Sequence, residues 1–411
     1  MPNDIYQQVF GLSMASNLLT AQTGDLAAFQ LYAEKNIPLF LDKYGVQGWE
    51  VVWGPVVWMN APTSSQQGAD NTWYVANNPK ATFADGEYNT YVIAIAGSQG
   101  VPSKSYDYVT EDSAVTEVVD FDKFAEGGLK SPDSGWHPLD KSPVIASGTA
   151  IGVSVLASNP PPSTAAASNI LLGDFLESLP SDARVIFTGH SLGGALSPTL
   201  ALGYLRYGTL GKFASGNVLT YPTAGPSPGN AAFTSLFTSS FPAINGDGYR
   251  TWNINVTNYY DAVPQAWCTK TGEKYPQNLF NIVPLFSPMP FWVKVKLDLA
   301  IGLAAKKPDL SGHVYIPLPR STFMASPPAP IKTLADFGSD VHTEHISAYF
   351  DHFGFPVPPE YIRLETETRE EVERAVAPWA VIGTLVRQVR EVEESEASKA
   401  LVAESVDVVA E

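Results

Sequence analysis

Residues 185–194 read VIFTGHSLGG. A short apolar run, Val185-Ile186-Phe187, meets Gly189-His190-Ser191-Leu192-Gly193-Gly194, and a helix-forming stretch follows. Residues of these types can hold a serine hydroxyl out on a tight strand-to-helix turn, because glycines at 189 and 193 lack the Cβ that would crowd the neighbouring backbone. The N-terminus of the following helix favours negative charge, which is what an attacked carbonyl develops. With 32 Gly in 411 residues, Gly-x-Ser-x-Gly is a weak signal by itself, and strand, turn and helix must come in that order to support it. The bland alternative is a glycine-rich turn with an idle serine.

A serine needs a base to take its proton and an acid to orient that base. On a fold that presents its nucleophile this way, the acid and the histidine follow the serine in the chain. The best downstream acid is Asp261, in NVTNYYDAVPQAW, directly after a strand-like run and ahead of Pro264. That places it at the carboxyl edge of a sheet, where sites of such architectures sit. A turn-capping Asp before Pro is its ordinary reading. Six histidines are present. His137 precedes the serine, His190 is part of the turn and points away from the hydroxyl, and His313 lies in a proline-rich insertion. His342, His345 and His352 remain, clustered in SDVHTEHISAYFDHFG. His345 is preferred because HISAYF reads as a loop passing into a short helix. For the developing oxyanion, strand Val92–Ala96 ends in Gly97-Ser98-Gln99-Gly100. Ser98 can offer a backbone N–H and a hydroxyl, and the backbone N–H of Leu192 is the second donor.

The elements that must position these groups alternate. Residues 4–43 read as two amphipathic helices parted at Thr23-Gly24-Asp25, and 48–97 as β-branched and aromatic strands broken by Gly, Pro, Asn and Asp. Residues 100–145 are polar and irregular. A helix over 168–179, the strand at 185, a helix to about Tyr207, a strand at 218–221 and another at 249–256 follow. Strands alternating with helices imply an α/β protein with a mostly parallel sheet covered on both faces. Residues 262–330 form an insertion rich in Pro and apolar residues, and Lys294, Lys296 and Asp298 exclude a spanning helix there. Its apolar run ends in Phe291-Trp292, read as a cap that binds substrate. The chain divides into one domain, 1–360, and an acidic tail, 361–411. The tail carries 12 acidic residues against 6 basic, with Val381, Ile382, Leu385, Val386, Val389 and Val392 on one helical face opened by Pro378.

Composition bounds the partners. A net charge of −17 disfavours nucleic acid, whose phosphates call for clustered Lys and Arg. One cysteine, Cys268, permits no intramolecular disulfide. The N-terminus MPNDIYQQVFGLSMASNLL lacks the basic start of a signal peptide. The expectation is a cytoplasmic protein, or one exported without a cleaved signal.

With these residues in hand, the chain resembles the class 3 lipases of the α/β-hydrolase superfamily, from about Asn71 to Gly354. VIFTGHSLGGALSPTLAL is similar to the family's nucleophile strand, elbow and helix. VIAIAGS resembles its oxyanion strand, NVTNYYDAVPQAW the segment bearing its acid, and HISAYF its histidine followed shortly by Tyr. The resemblance implies a Ser191–Asp261–His345 triad, Ser98 as oxyanion residue, lipid or small-ester substrates, transient contact with a lipid surface, no metal and no organic cofactor. It also implies a lid between the oxyanion strand and the elbow, here 100–145. The long interval between Asp261 and His345 reads as an added cap. A phospholipase A1 or a feruloyl-type esterase would use the same machinery, and an inactive lipid-binding protein could keep the fold. Oligomeric state is not legible.

Overall fold

The computed structural model describes residues 3–20, 22–64, 67–98, 106–112, 114–132 and 141–362. The expected tail helix over 378–392 and much of the expected lid, including 100–105 and 133–140, lie outside the described residues. In chain order the strands are β1 Glu50–Trp58, β2 Asn71–Phe83, β3 Gly86–Ile95, β4 Val118–Asp120, β5 Val144–Ala146, β6 Arg184–His190, β7 Val218–Thr223, β8 Gly229–Asn230, β9 Asn255–Asn258, β10 Tyr315–Ile316 and β11 Arg320–Phe323. The helices are α1 Ile5–Ala15, α2 Leu26–Lys43, α3 Phe121–Glu126, α4 Ser147–Ser158, α5 Leu172–Ser178, α6 Leu192–Tyr207, α7 Ala231–Ser240, α8 Ile282–Leu285, α9 Phe291–Leu310, α10 Leu334–His345, α11 Ser347–Phe353 and α12 Pro359–Ile362.

The main sheet has seven strands in the order β1-β2-β3-β6-β7-β9-β11. β1, β2 and β3 pair antiparallel, and from β3 to β11 every pairing is parallel. A mostly parallel α/β-hydrolase sheet is therefore what the chain builds. Successive side chains of a strand face opposite ways, so each strand feeds two cores. Val92, Ala94 and Ile186 pack with α1, α2, α10 and α11 on one face. Ile93, Ile95, Val185 and Phe187 pack with α4, α5, α6 and α7 on the other. Strands β4, β5, β8 and β10 form a separate small sheet.

Three elements differ from the sequence reading. The strand expected over 249–256 begins only at Asn255, because Asn253 takes φ 63° and turns the chain. Its side chain accepts from the Thr220 N–H and donates to the Pro242 carbonyl, fixing that turn. The helix expected over 168–179 begins at Leu172, after a left-handed Asn169 with φ 60°. His345 is the last residue of a helix, α10, and a break at Ile346 separates it from α11.

The insertion is built around α9. Val293, Leu297, Ala300, Ile301 and Ala304 are buried at helical spacing, and they join Leu279, Ile282, Phe286, Phe337 and Val341 in the core that α1 also enters. Leu297→Ala should therefore cost about 2–5 kcal/mol in denaturant unfolding. An unchanged midpoint would show that α9 is not part of the folded core.

Candidate active site

Ser191 sits between β6 and α6 with φ 61° and ψ −125°, a conformation that L-residues rarely adopt. Its N–H donates to the Thr223 carbonyl at 3.0 Å, and its own carbonyl accepts from Gly194 N–H at 2.8 Å. A Cβ at Gly189 would stand 2.3 Å from the Gly193 carbonyl oxygen, and one at Gly193 would stand 2.3 Å from that of Ile95. Both glycines are therefore required by backbone packing, and the strained serine conformation is held by β3, β6 and the first turn of α6 together.

Asp261 lies just past the end of β9, fully buried, and His345 is fully buried beside it. His345 Nδ1 and Asp261 Oδ2 are 2.7 Å apart. The Tyr349 hydroxyl donates to the same Oδ2 at 2.8 Å, and Val263 N–H donates to Oδ1 at 2.9 Å. Tyr349 in turn accepts from the Asn258 N–H at 2.9 Å. His190, next to the serine, contacts the His345 carbonyl through Nε2 and the Thr223 hydroxyl through Nδ1, each at 2.9 Å. Burial lowers the pKa of both imidazoles, His345 and His190, and each depresses further with a second histidine nearby. Burial also raises the Asp261 carboxyl, against the pull of the Val263 and Tyr349 donors.

Strand β3 arrives alongside. Ser98 follows β3, and its hydroxyl donates to Asp112 Oδ2 at 2.6 Å. Gly97 N–H donates to Asn17 Oδ1 at 2.8 Å, and Asn17 is anchored through Nδ2 to the Ser13 carbonyl of α1. Leu192, buried, opens α6 directly after the serine. Asn17, Thr20, Ser98, Ser191, His342 and Tyr361 border a cavity of about 10 Å³. That is room for about one water molecule, so a substrate needs these flanking groups to part.

The structure thus brings Ser191 and Ser98 to one cavity, with Leu192 next to the serine at the start of α6, and it ties the Asp261–His345 pair to the serine turn through His190. Phe291 and Trp292 are not brought there. They open α9 at 82 and 50% exposure and do not border the serine's cavity. The reason is that the buried stripe of α9 starts at Val293, which turns its first two residues outward. Among the other histidines, His342 Nε2 contacts the Tyr361 carbonyl at 3.2 Å and His352 stacks on Phe323 at 3.7 Å. Four contributions went unread in the sequence: Asn17, Asp112, the anchoring role of His190, and the bond of Tyr349 to Asp261. Only Tyr349 had a signal, its place four residues after His345. Among the described residues, no three His, Cys, Asp or Glu side chains are grouped to hold a metal ion.

Fold and site together define an α/β-hydrolase with a serine elbow. Residues 164–270 match the class 3 lipase family. The M37 lipase crystal structure is similar with a TM-score of 0.59 at 24% identity, over 85% of this chain and 92% of that one. The nonglycosylated LIP2 lipase of Yarrowia lipolytica gives 0.39 at 15% identity, over 63 and 73%. Lipase II from Rhizopus niveus gives 0.36 at 15%, over 64 and 73%. No curated protein sequence matches the chain. The family read from the sequence is supported over residues 164–270: this chain carries a class 3 lipase region in an α/β-hydrolase fold.

Tyr349→Phe removes a donor from buried Asp261 and the acceptor of the Asn258 N–H. It should lower unfolding stability by about 1–3 kcal/mol in denaturant melts. A variant as stable as the parent would show that Asp261 does not depend on that hydroxyl.

Proposed function

We propose that the chain hydrolyses lipid acyl esters through an acyl-serine intermediate. The observation that carries this reading is the buried Asp261–His345 pair, at 2.7 Å, bonded through His190 to the strained turn that holds Ser191. In this mechanism Ser191 Oγ attacks the ester carbonyl while His345 takes its proton. Asp261 holds the imidazole tautomer and stabilises the cation that forms. Leu192 N–H and Ser98 hold the oxyanion, with Asp112 and Asn17 fixing the Ser98 loop. His345 then returns the proton to the leaving alcohol, and water repeats the sequence on the acyl-enzyme.

Ser191→Ala should lose labelling by a fluorophosphonate probe and lower kcat/KM on nitrophenyl esters by about three orders of magnitude or more. Full turnover in that variant would refute the reading, and an unlabelled but folded parent would favour a lipid-binding protein that has lost turnover. The base works only when neutral, so activity falls as pH drops through its pKa. Because burial lowers His345, the acid limb of kcat/KM should lie below the imidazole reference of 6.5. A limb above 6.5 would assign the base to another group.

The exposed start of α9 fits lipid-surface contact better than acyl binding. Phe291, Trp292, Val295 and Leu299 are exposed apolar residues beside Lys294 and Lys296. Trp292→Ser should weaken hydrolysis of an emulsified long-chain ester several-fold and leave soluble nitrophenyl acetate unchanged. An equal loss on both substrates would mean that Trp292 supports packing instead. Head-group profiling separates triacylglycerol lipase, phospholipase A1 and feruloyl-type esterase, which share this machinery.

A further inference from the structure

A second cavity, of about 440 Å³, lies between the insertion and the outer strands β9 and β11. Thr257 and Tyr260, from β9 and the turn after it, Arg320 and Thr322 of β11, and Gln277 and Asn281 of the insertion border it. The volume falls within the usual range for a small-molecule site. Its wall is mostly polar, and among the described residues no carboxylate borders it. None of the residues assigned to the ester chemistry borders it either.

Two groups there have unmet needs. Arg320 is half-buried, and burial lowers its guanidinium pKa with no opposing carboxylate. This occurs in a chain with 42 acidic and 25 basic residues, where most arginines could find an acid. A partly desolvated charge without a counter-ion is costly, and a bound oxyanion repays that cost through paired N–H donors. Gln277 is 4% exposed, and its buried Oε1 has no hydrogen-bond partner. A buried amide oxygen of that kind needs a donor, and a turn of the Gln277 side chain at the cavity wall presents it to a ligand hydroxyl. The Thr322 hydroxyl, 3.1 Å from that of the fully buried Thr257, adds a further polar group on the same wall.

We propose that this cavity binds a small hydroxylated anion, with its oxyanion on Arg320 and a hydroxyl on Gln277. The shared chemistry is a polyol carrying one phosphate or carboxylate. The site is separate from the serine, so it stands or falls independently of the ester hydrolase reading.

Isothermal titration calorimetry on the full chain tests it with glycerol 3-phosphate, glycerate and uncharged glycerol. At least one of the two anions should bind with 1:1 stoichiometry, and glycerol should not. Which anion binds identifies the oxyanion. Arg320→Gln should weaken that binding by on the order of tenfold to a hundredfold. Gln277→Glu supplies the missing carboxylate, so it should abolish anion binding and raise the thermal midpoint of the ligand-free protein. This second variant keeps the test valid if Arg320→Gln does not fold. Failure of both anions to bind the parent, or binding that survives in both variants, would overturn the proposal.

Discussion

The backbone at Ser191 takes a left-handed φ of 61°, and everything around it exists to hold that strain. Such a conformation costs on the order of 1–3 kcal/mol and persists only where the surroundings over-determine it. Here they do. The Ser191 N–H is bonded to β7 through Thr223, and Gly193 is pressed against the carbonyls of Ile95 and Ala96 at the end of β3. Gly97 is pressed in the same way against the His190 carbonyl oxygen, 2.8 Å from where a Cβ would stand. Three strands and one helix therefore meet at the serine with no room for a side chain at the contacts. The loop carrying Ser98 is positioned by the same packing, since it leaves the end of β3 at Gly97.

Burial governs the charges of the site. Asp261, His345 and His190 are all removed from water, and each is driven toward its neutral form by that removal. Hydrogen bonds oppose this at Asp261, where Tyr349 and Val263 aim donors at the two carboxylate oxygens. Glu344, adjacent to His345, shows the same outcome. Desolvation raises its carboxyl to about 7, although Asn258 donates to it at 2.6 Å. Its folded pKa lies above the unfolded value, so its contribution to stability declines as pH rises from about 4.5 through 7. The histidines run the opposite way. Their folded pKa values lie below 6.5, and their burial disfavours folding as pH falls beneath that reference.

The insertion, 262–330, does not border the serine's cavity. Its long helix spends one face on the core shared with α1 and leaves Phe291 and Trp292 in solvent. Its earlier part, around Gln277 and Asn281, instead walls a polar cavity against β9 and β11. Meanwhile Asn17, just past the end of α1 and anchored to it through the Ser13 carbonyl, reaches the site. A segment far from the serine in sequence thus supports the loop after β3, while the segment richest in apolar residues does not border the serine's cavity.

The sequence by itself determined the local geometry of the elbow. Glycines at 189 and 193 around Ser191, between a β-branched run and a helix former, leave few other backbone paths. It also determined the alternation of strands and helices, and hence a mostly parallel sheet, because periodicity reports which faces must be buried. Asp261 and Ser98 were legible for the same local reason, each at the carboxyl end of a strand-like run. Only the tertiary structure decided the rest. That His345, not His342, meets Asp261 depends on how α10 lies against the end of β9, a contact across 84 positions of the chain. Asn17 reaches Gly97 across 80 positions, with no motif to announce it. The outward turn of Phe291 and Trp292 follows from where the buried stripe of α9 begins, and apolar composition alone cannot tell a packed helix from a substrate wall. Spacing along a chain fixes local conformation, but which distant side chains share a buried hydrogen bond is settled only when the sheet and its covering helices come together.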